Sequence, residues 1–116
     1  MKRFCLALDL KEDSELIKEY EAWHAPGKGW PEVRQNDLAA GVLDLQIYRT
    51  GNRMFMILET DDDFTFEKKA ERDATNPHVQ AWEKLMWKFQ QPLPNAKPGE
   101  KWVLMEQIFQ FEKEVD

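Results

Sequence analysis

The 116-residue sequence has a single cysteine, Cys5, and only two histidines, His24 and His78. One cysteine excludes an internal disulfide and a cysteine-based zinc site. Neither histidine lies in a metal-ligand spacing such as His-Glu-x-x-His, and the sequence has no glycine-rich phosphate loop and no nucleophile elbow. We therefore expect no metal and no cofactor. Cys5 lies within an apolar run, so we expect it to be buried.

Basic residues and long apolar runs are also scarce. The chain has 16 Lys and Arg against 22 Asp and Glu, and its formal net charge is −6. Such an acidic chain is a poor candidate for binding nucleic acid or an anionic membrane surface. The longest apolar runs, such as residues 54–58, are too short to span a bilayer, and Asp9 ends the N-terminal run too early for a signal peptide. We expect one cytoplasmic domain over residues 1–116.

Aromatic residues, in contrast, are abundant. Five Trp, seven Phe and two Tyr make up 12% of the chain. Aromatic side chains bury large areas and can supply the core that a small domain needs. Five Trp exceed what a small core commonly uses, so the surplus indicates a stacking surface for a ring-shaped ligand or an oligomer interface.

Hydrophobic periodicity predicts the element order β-α-α-β-β-α-α-β. This order contains split β-α-β motifs and predicts an α+β domain with a four-stranded antiparallel, ferredoxin-like sheet and helices on one face. The other sheet face is rich in aromatic residues, which favours a partner sheet, a dimeric α+β barrel and hence a homodimer. The predicted strands are 4–10, 42–49, 53–60 and 101–111, and the predicted helices begin at Asp13, Trp30, Asp61 and Asn76.

Tyr20 and His24 lie four residues apart on the first predicted helix, so their side chains are neighbours on one face. Histidine is the side chain best suited to proton transfer at neutral pH, although a solvated histidine near a helix C-terminus has the same pattern. Trp30 and Trp82 are suited to stack on a flat apolar ring. Trp82 also belongs to the apolar stripe of its helix, which is typical of a core residue.

Two carboxylates lie on otherwise apolar strand faces. Asp44 alternates onto the same face as Tyr48, and Glu106 lies in the predicted last strand. A carboxylate on an apolar strand face needs a charged or hydrogen-bonding partner, or a role in binding a ligand. Arg49 and Arg53 flank the predicted hairpin and are candidate partners, so a structural ion pair and a role in ligand binding both stay open.

Several of these residues form a known pattern. Tyr20-x-x-x-His24, Trp30-Pro31-Glu32, Ile47-Tyr48 and Gln80-x-Trp82 resemble the L-rhamnose mutarotase family in order and spacing, over nearly the whole chain. The resemblance implies a dimeric α+β barrel and a cofactor-free enzyme that interconverts the α and β anomers of a 6-deoxy-hexose. It also implies that His24 is the proton donor and that Tyr20 and Trp82 contact the sugar.

Within this resemblance, the substrate stays open between L-rhamnose and L-fucose. Leu45 and Glu83 stand where rhamnose-specific members carry aromatic residues, and these departures resemble the branch labelled L-fucose mutarotase. We expect Trp30 and Trp82 to pack on the sugar, Tyr48 and Arg49 to contribute to binding it, and Asp44 or Glu106 to act as the base.

Two other interpretations compete with a mutarotase. The same barrel architecture hosts cofactor-free monooxygenases and haem-handling proteins, where His24 or His78 would serve as an axial ligand. A non-enzymatic sugar-binding or sensor module would also account for the tryptophans. It would not need the paired Tyr20 and His24.

Overall fold

The structure is a computed structural model that describes residues 1–112. Its helices and strands form an α+β architecture with an antiparallel sheet. No helix among the described residues is both long enough and apolar enough to cross a bilayer. The elements are β1 (Lys2–Leu10), α1 (Ser14–Trp23), α2 (Pro31–Ala39), β2 (Val42–Thr50), β3 (Arg53–Thr60), α3 (Phe66–Thr75), α4 (Pro77–Trp87), β4 (Gln90–Gln91) and β5 (Val103–Leu104).

The sheet has the strand order β2-β3-β1-β4, and β5 pairs with the same edge of β1 as β4 does. All pairs are antiparallel. Two short strands therefore share the fourth strand position. The predicted fold class, an antiparallel sheet with helices on one face, is confirmed.

The core lies between the sheet and the helices. Leu8 and Leu10 of β1 point to the helices together with Met54 of β3, because cross-strand partners such as Leu8 and Met54 share a face. Tyr20 of α1 and Phe89, which follows α4, complete this cluster of buried side chains. The helix that carries Tyr20 is thereby held against the sheet.

Side-chain caps begin two helices where the sequence predicts them. The Asp13 carboxylate accepts hydrogen bonds from the first backbone N–H groups of α1. Asn76 does the same for α4, with Pro77 as the first helical residue. Both caps pair N–H groups that a helix leaves free at its start.

The predicted start of the third helix at Asp61 is wrong. Helix α3 begins at Phe66, and its N-cap is Thr65, whose side chain accepts a hydrogen bond from the Lys68 N–H. Phe64 is only 2% exposed and packs into a second core cluster with Leu58. The acidic run precedes an extended segment because burial of Phe64 outweighs the preference of carboxylates for a helix N-terminus.

The predicted last strand, 101–111, is also wrong in its length. Only Val103–Leu104 pairs with β1, and one more backbone bond joins the Met105 N–H to the Cys5 carbonyl at 2.7 Å. Residues 106–112, including Glu106, are exposed and lie outside the sheet. Alternation assigns residues to faces, but it does not supply a neighbouring strand. β4 pairs with the Asp9–Leu10 end of this edge, so it limits only the pairing of residues before Val103.

No helix of the described residues covers one face of the sheet, and we call this face the outer face. The register places Cys5 beside Ile57 and Tyr48 beside Phe55 on this face. Cys5 is exposed there, so the expectation that it is buried is wrong. An apolar run alone does not bury a residue, because burial requires another layer on the same side of the strand.

Candidate active site

A cleft of about 380 Å³ opens between the C-terminal half of α1 and the β2–β3 hairpin. This volume suits a small organic ligand. Two of its lining side chains, Tyr20 and Met54, belong to the buried core, so part of the cleft lining is rigid packing rather than loop. The lining residues are Tyr20, Glu21, His24, Ile47, Tyr48, Arg49 and Met54.

Tyr20 and His24 lie side by side in the wall of the cleft, as their spacing predicts. Their ring centroids are 4.3 Å apart. His24 Nδ1 lies 2.8 Å from the backbone oxygen of Tyr20. Because a carbonyl oxygen only accepts hydrogen bonds, Nδ1 carries the proton of the neutral ring. Nε2 is then the nitrogen with a free lone pair.

Burial sets the protonation states of this pair. Desolvation lowers the pKa of His24, and the hydrogen bond to the Tyr20 carbonyl opposes this shift. Desolvation also raises the pKa of Tyr20 to about 12. At neutral pH the cleft therefore presents an uncharged imidazole that can accept a proton beside a neutral phenol that can donate a hydrogen bond.

Trp82 packs behind this pair and does not itself line the cleft. Its ring centroid lies 5.7 Å from that of His24 and 5.2 Å from that of Trp30, in edge-on arrangements. Trp23 contacts the same ring from α1 at 6.1 Å. Trp82 also packs against the core cluster. Trp82 is therefore both a core residue of α4 and a direct neighbour of the His24 ring.

Charged groups form the rim of the cleft. Arg49 Nε donates to Glu21 Oε1 at 2.5 Å, and the Arg49 guanidinium also donates to the Gly51 carbonyl at 2.7 Å. Arg49 therefore pairs with Glu21 rather than with Asp44 or Glu106. The ion pair connects α1 to the hairpin across the mouth of the cleft, where both side chains remain accessible to a ligand.

The two predicted carboxylate bases are not among the residues that line the cleft. Asp44 is exposed on the outer face of β2, in the same alternation as Tyr48. Glu106 is exposed in the segment beyond β5. Tyr48 is among the lining residues, but its side chain, 57% exposed, alternates onto the outer face, where its hydroxyl donates to Gln46 Oε1 at 3.3 Å.

Three lining residues, Glu21, Ile47 and Met54, were not predicted to belong to the site, although Ile47 stands in the motif that carries the family resemblance. Ile47 and Met54 could have been predicted from the sequence, because the two-residue turn between Thr50 and Arg53 sets the hairpin register. That register pairs Arg49 with Met54 and places Ile47 on the same face. Glu21 carries no comparable signal, because an exposed glutamate on a helix is ordinary.

Metal-ligand types are sparse around the cleft. Within residues 1–112, no group of three or more His, Cys, Asp or Glu side chains lies close enough to hold a metal ion. His78 is exposed in the first turn of α4 and does not line the cleft.

Comparison with known proteins identifies the family. Residues 3–111 match the L-rhamnose mutarotase family. The chain belongs to this family. It is 45% identical, over 115 residues, to an L-fucose mutarotase of Xanthomonas campestris pv. campestris, covering 99% of this chain and 92% of that protein. The resemblance noted in the sequence is thereby confirmed, and mutarotases of this family are isomerases.

Two solved structures share the fold. An L-rhamnose mutarotase from Formosa agariphila superposes with a TM-score of 0.69 at 21% identity, over 97% of this chain and all of the other. A dimeric ferredoxin-like protein from an uncultured marine organism gives a TM-score of 0.51 at 14% identity, over 95% and 91% of the two chains. These similarities support the ferredoxin-like α+β class.

Proposed function

We propose that this chain interconverts the α and β anomers of a 6-deoxy-hexose, with L-fucose as the first candidate and L-rhamnose as the second. Family membership supports exchange of sugar anomers, and the relative at 45% identity carries the name of L-fucose. The observation that carries the chemistry is the His24–Tyr20 pair in the wall of the cleft, with one imidazole nitrogen held by a backbone carbonyl.

The proposed reaction opens and recloses the hemiacetal through His24. Neutral Nε2 accepts the proton of the O1 hydroxyl while the bond from C1 to the ring oxygen breaks. The electron pair of that bond goes to the ring oxygen, which takes the proton from the imidazolium, and C1 with O1 becomes a carbonyl. O1 and the ring oxygen are both attached to C1, so one imidazole can serve both.

Anomeric inversion then requires only rotation and reversal of these steps. Rotation about the C1–C2 bond presents the other carbonyl face, and His24 moves the proton back to O1 as the ring closes. The Tyr20 hydroxyl, held neutral by its raised pKa, donates a hydrogen bond that orients the sugar. Asp44 and Glu106, expected as candidate bases, are not required for this transfer.

The remaining predicted residues differ in how close they lie to the sugar in this proposal. Arg49 at the rim hydrogen-bonds sugar hydroxyls. Trp82 and Trp30 do not line the cleft, and they form the apolar backing that holds the His24 ring in place. The Tyr48 side chain lies on the outer face, so Tyr48 borders the cleft without stacking on the sugar.

Anomer exchange measured by NMR saturation transfer tests this function directly. We expect the protein to accelerate exchange between the anomeric protons of L-fucose or L-rhamnose and to leave D-glucose near its spontaneous rate. Binding of a deoxy-sugar without faster exchange would instead indicate a sugar-binding module, and the absence of both would reject the proposal.

The pH dependence of exchange provides a second test. The proposed base is neutral His24, whose folded-state pKa lies below its usual 6.5 because of burial. Activity should therefore stay level from pH 8 to below 6.5 and fall only as the pH drops through that lowered pKa. The measurement is the catalysed rate after subtraction of the spontaneous rate at each pH. A decline that begins above pH 6.5 would contradict the assignment.

We further propose that two copies of the chain pair through their outer faces, as the sequence predicts. The outer face carries Tyr48, Phe55 and Ile57, and no helix of the described chain covers it. Beyond β5, Ile108 and Phe109 are 92% and 75% exposed, which is unusual for large apolar side chains, and we include this segment in the proposed interface. One of the neighbouring folds is named as dimeric. The expected cytoplasmic location stays a prediction.

Oligomeric state measured by light scattering tests the dimer. The expected mass is twice the 13.8 kDa of one chain. Phe109→Glu places a charge in the proposed interface and should shift the protein toward monomer. Leu38→Glu, at a 60% exposed position on α2, is the matched control and should stay dimeric. A monomeric wild-type protein would reject the interface.

A further inference from the structure

Gln90 is a buried polar side chain that lies against Tyr20, a residue of the cleft lining. It is 4% exposed and lies in β4, paired with Leu10 of β1. This pairing turns its side chain to the helix-covered face, where its Nε2 lies 3.5 Å from the Tyr20 hydroxyl oxygen. An amide among Leu10, Phe89 and Tyr20 loses its hydration, and this loss costs free energy unless hydrogen bonds within the protein replace it.

The hydrogen bonding of this amide is incomplete. Gln90 Oε1 is the one buried side-chain oxygen or nitrogen within residues 1–112 that has no hydrogen-bond partner there. A buried acceptor without a partner costs free energy that an apolar side chain of similar shape would not. A glutamine at this buried position stabilises the fold less than an apolar side chain would, so a purely structural role for Gln90 is disfavoured. Its one side-chain hydrogen bond is to Tyr20, a member of the proposed catalytic pair.

We propose that Gln90 is a positioning residue that orients the Tyr20 hydroxyl toward the sugar. This inference rests on the proposed function of the cleft. A distance of 3.5 Å is long for a hydrogen bond, and contacts of catalytic groups are often long before substrate binds and tighten in the complex. The Gln90 hydrogen bond also opposes the rise in the pKa of Tyr20, so the two groups are coupled electrostatically.

A near-isosteric substitution separates this role from a structural one. Gln90→Met keeps the chain length and removes both polar atoms. We expect kcat for anomer exchange to fall about three- to tenfold, the factor one hydrogen bond supplies, with KM little changed. Thermal stability should be equal or higher, because the apolar side chain suits its surroundings. Gln91→Met, at the exposed neighbouring position of β4, is the matched control and should behave as wild type.

A double-mutant cycle tests whether Gln90 acts through Tyr20. In the Tyr20→Phe background the hydroxyl is absent, so adding Gln90→Met should change kcat no further. An equal loss of kcat in both backgrounds would overturn the proposal, as would an unchanged kcat in Gln90→Met alone.

An activity-independent measurement keeps this proposal separate from the proposed function. The chain has only two tyrosines, Tyr20 and Tyr48, so labelling the phenol carbon attached to oxygen with ¹³C gives two NMR signals. Tyr48→Phe assigns them. Gln90→Met should shift the Tyr20 signal and Gln91→Met should not. No exchange by the wild-type protein would reject the mutarotase, whereas an unshifted Tyr20 signal would reject the contact with Gln90.

Discussion

Replacing His24 by Asn should lower the catalysed rate of anomer exchange by about 10²–10⁴-fold, the contribution typical of a positioned acid/base. The asparagine amide can still donate to the Tyr20 carbonyl, as His24 Nδ1 does, so the turn at the end of α1 is preserved. It has no counterpart of Nε2 that accepts and returns a proton. The measurement is saturation transfer on the sugar that the wild-type protein accelerates.

The second histidine provides the control for this experiment. His78 is exposed in the first turn of α4, and only its backbone takes part in the Asn76 cap. His78→Asn should therefore exchange anomers at the wild-type rate. A His24→Asn protein that is folded, with a melting temperature close to wild type, and that keeps more than about a tenth of the rate would remove His24 from the mechanism.

Replacing Leu8 by Ala should cause the largest loss of stability, about 2–5 kcal/mol. Leu8 is fully buried in β1 and packs in the cluster that includes Tyr20 and Met54. Truncation removes apolar contacts and leaves a cavity that a sheet strand cannot collapse to fill. Small domains have free energies of unfolding of only about 5–15 kcal/mol, so this single substitution should remove a large part of the stability of the domain.

Urea unfolding at one fixed protein concentration measures this loss, because dimerisation makes stability concentration-dependent. Leu38→Ala is the matched control, since Leu38 is 60% exposed on α2. It should change the free energy of unfolding by no more than about 0.5 kcal/mol. A Leu8→Ala protein within about 1 kcal/mol of wild type would show that this cluster does not dominate the stability.

Local chemistry made much of the fold predictable. Asp13 and Asn76 cap helices because their side chains pair free N–H groups, and this requires only the adjacent backbone. The hairpin follows from a two-residue turn between alternating strands. The first helix likewise places Tyr20 beside His24, since residues four apart are neighbours on any helix.

Where prediction went wrong, the deciding contact was distant in sequence. The acidic residues from Asp61 match a helix start, but Phe64 is buried against Phe4 of β1, with ring centroids 5.9 Å apart, and this delays α3 to Phe66. Alternation beyond Leu104 is that of a strand, yet the segment leaves the β1 edge. Cys5 is exposed because nothing in the described chain covers its side of the sheet.

The sequence by itself determined the order of the helices and of the first three strands, the Asp13 and Asn76 caps, the β2–β3 hairpin and the Tyr20–His24 pair, because each depends on interactions within a few residues. Only the tertiary structure decided that α1 packs beside the hairpin to form the cleft, that Arg49 pairs with Glu21, and that Gln90 lies beneath Tyr20. Those contacts join segments 28 and 70 residues apart. Their formation depends on how the helices and sheet pack around a shared core, which local patterns do not encode.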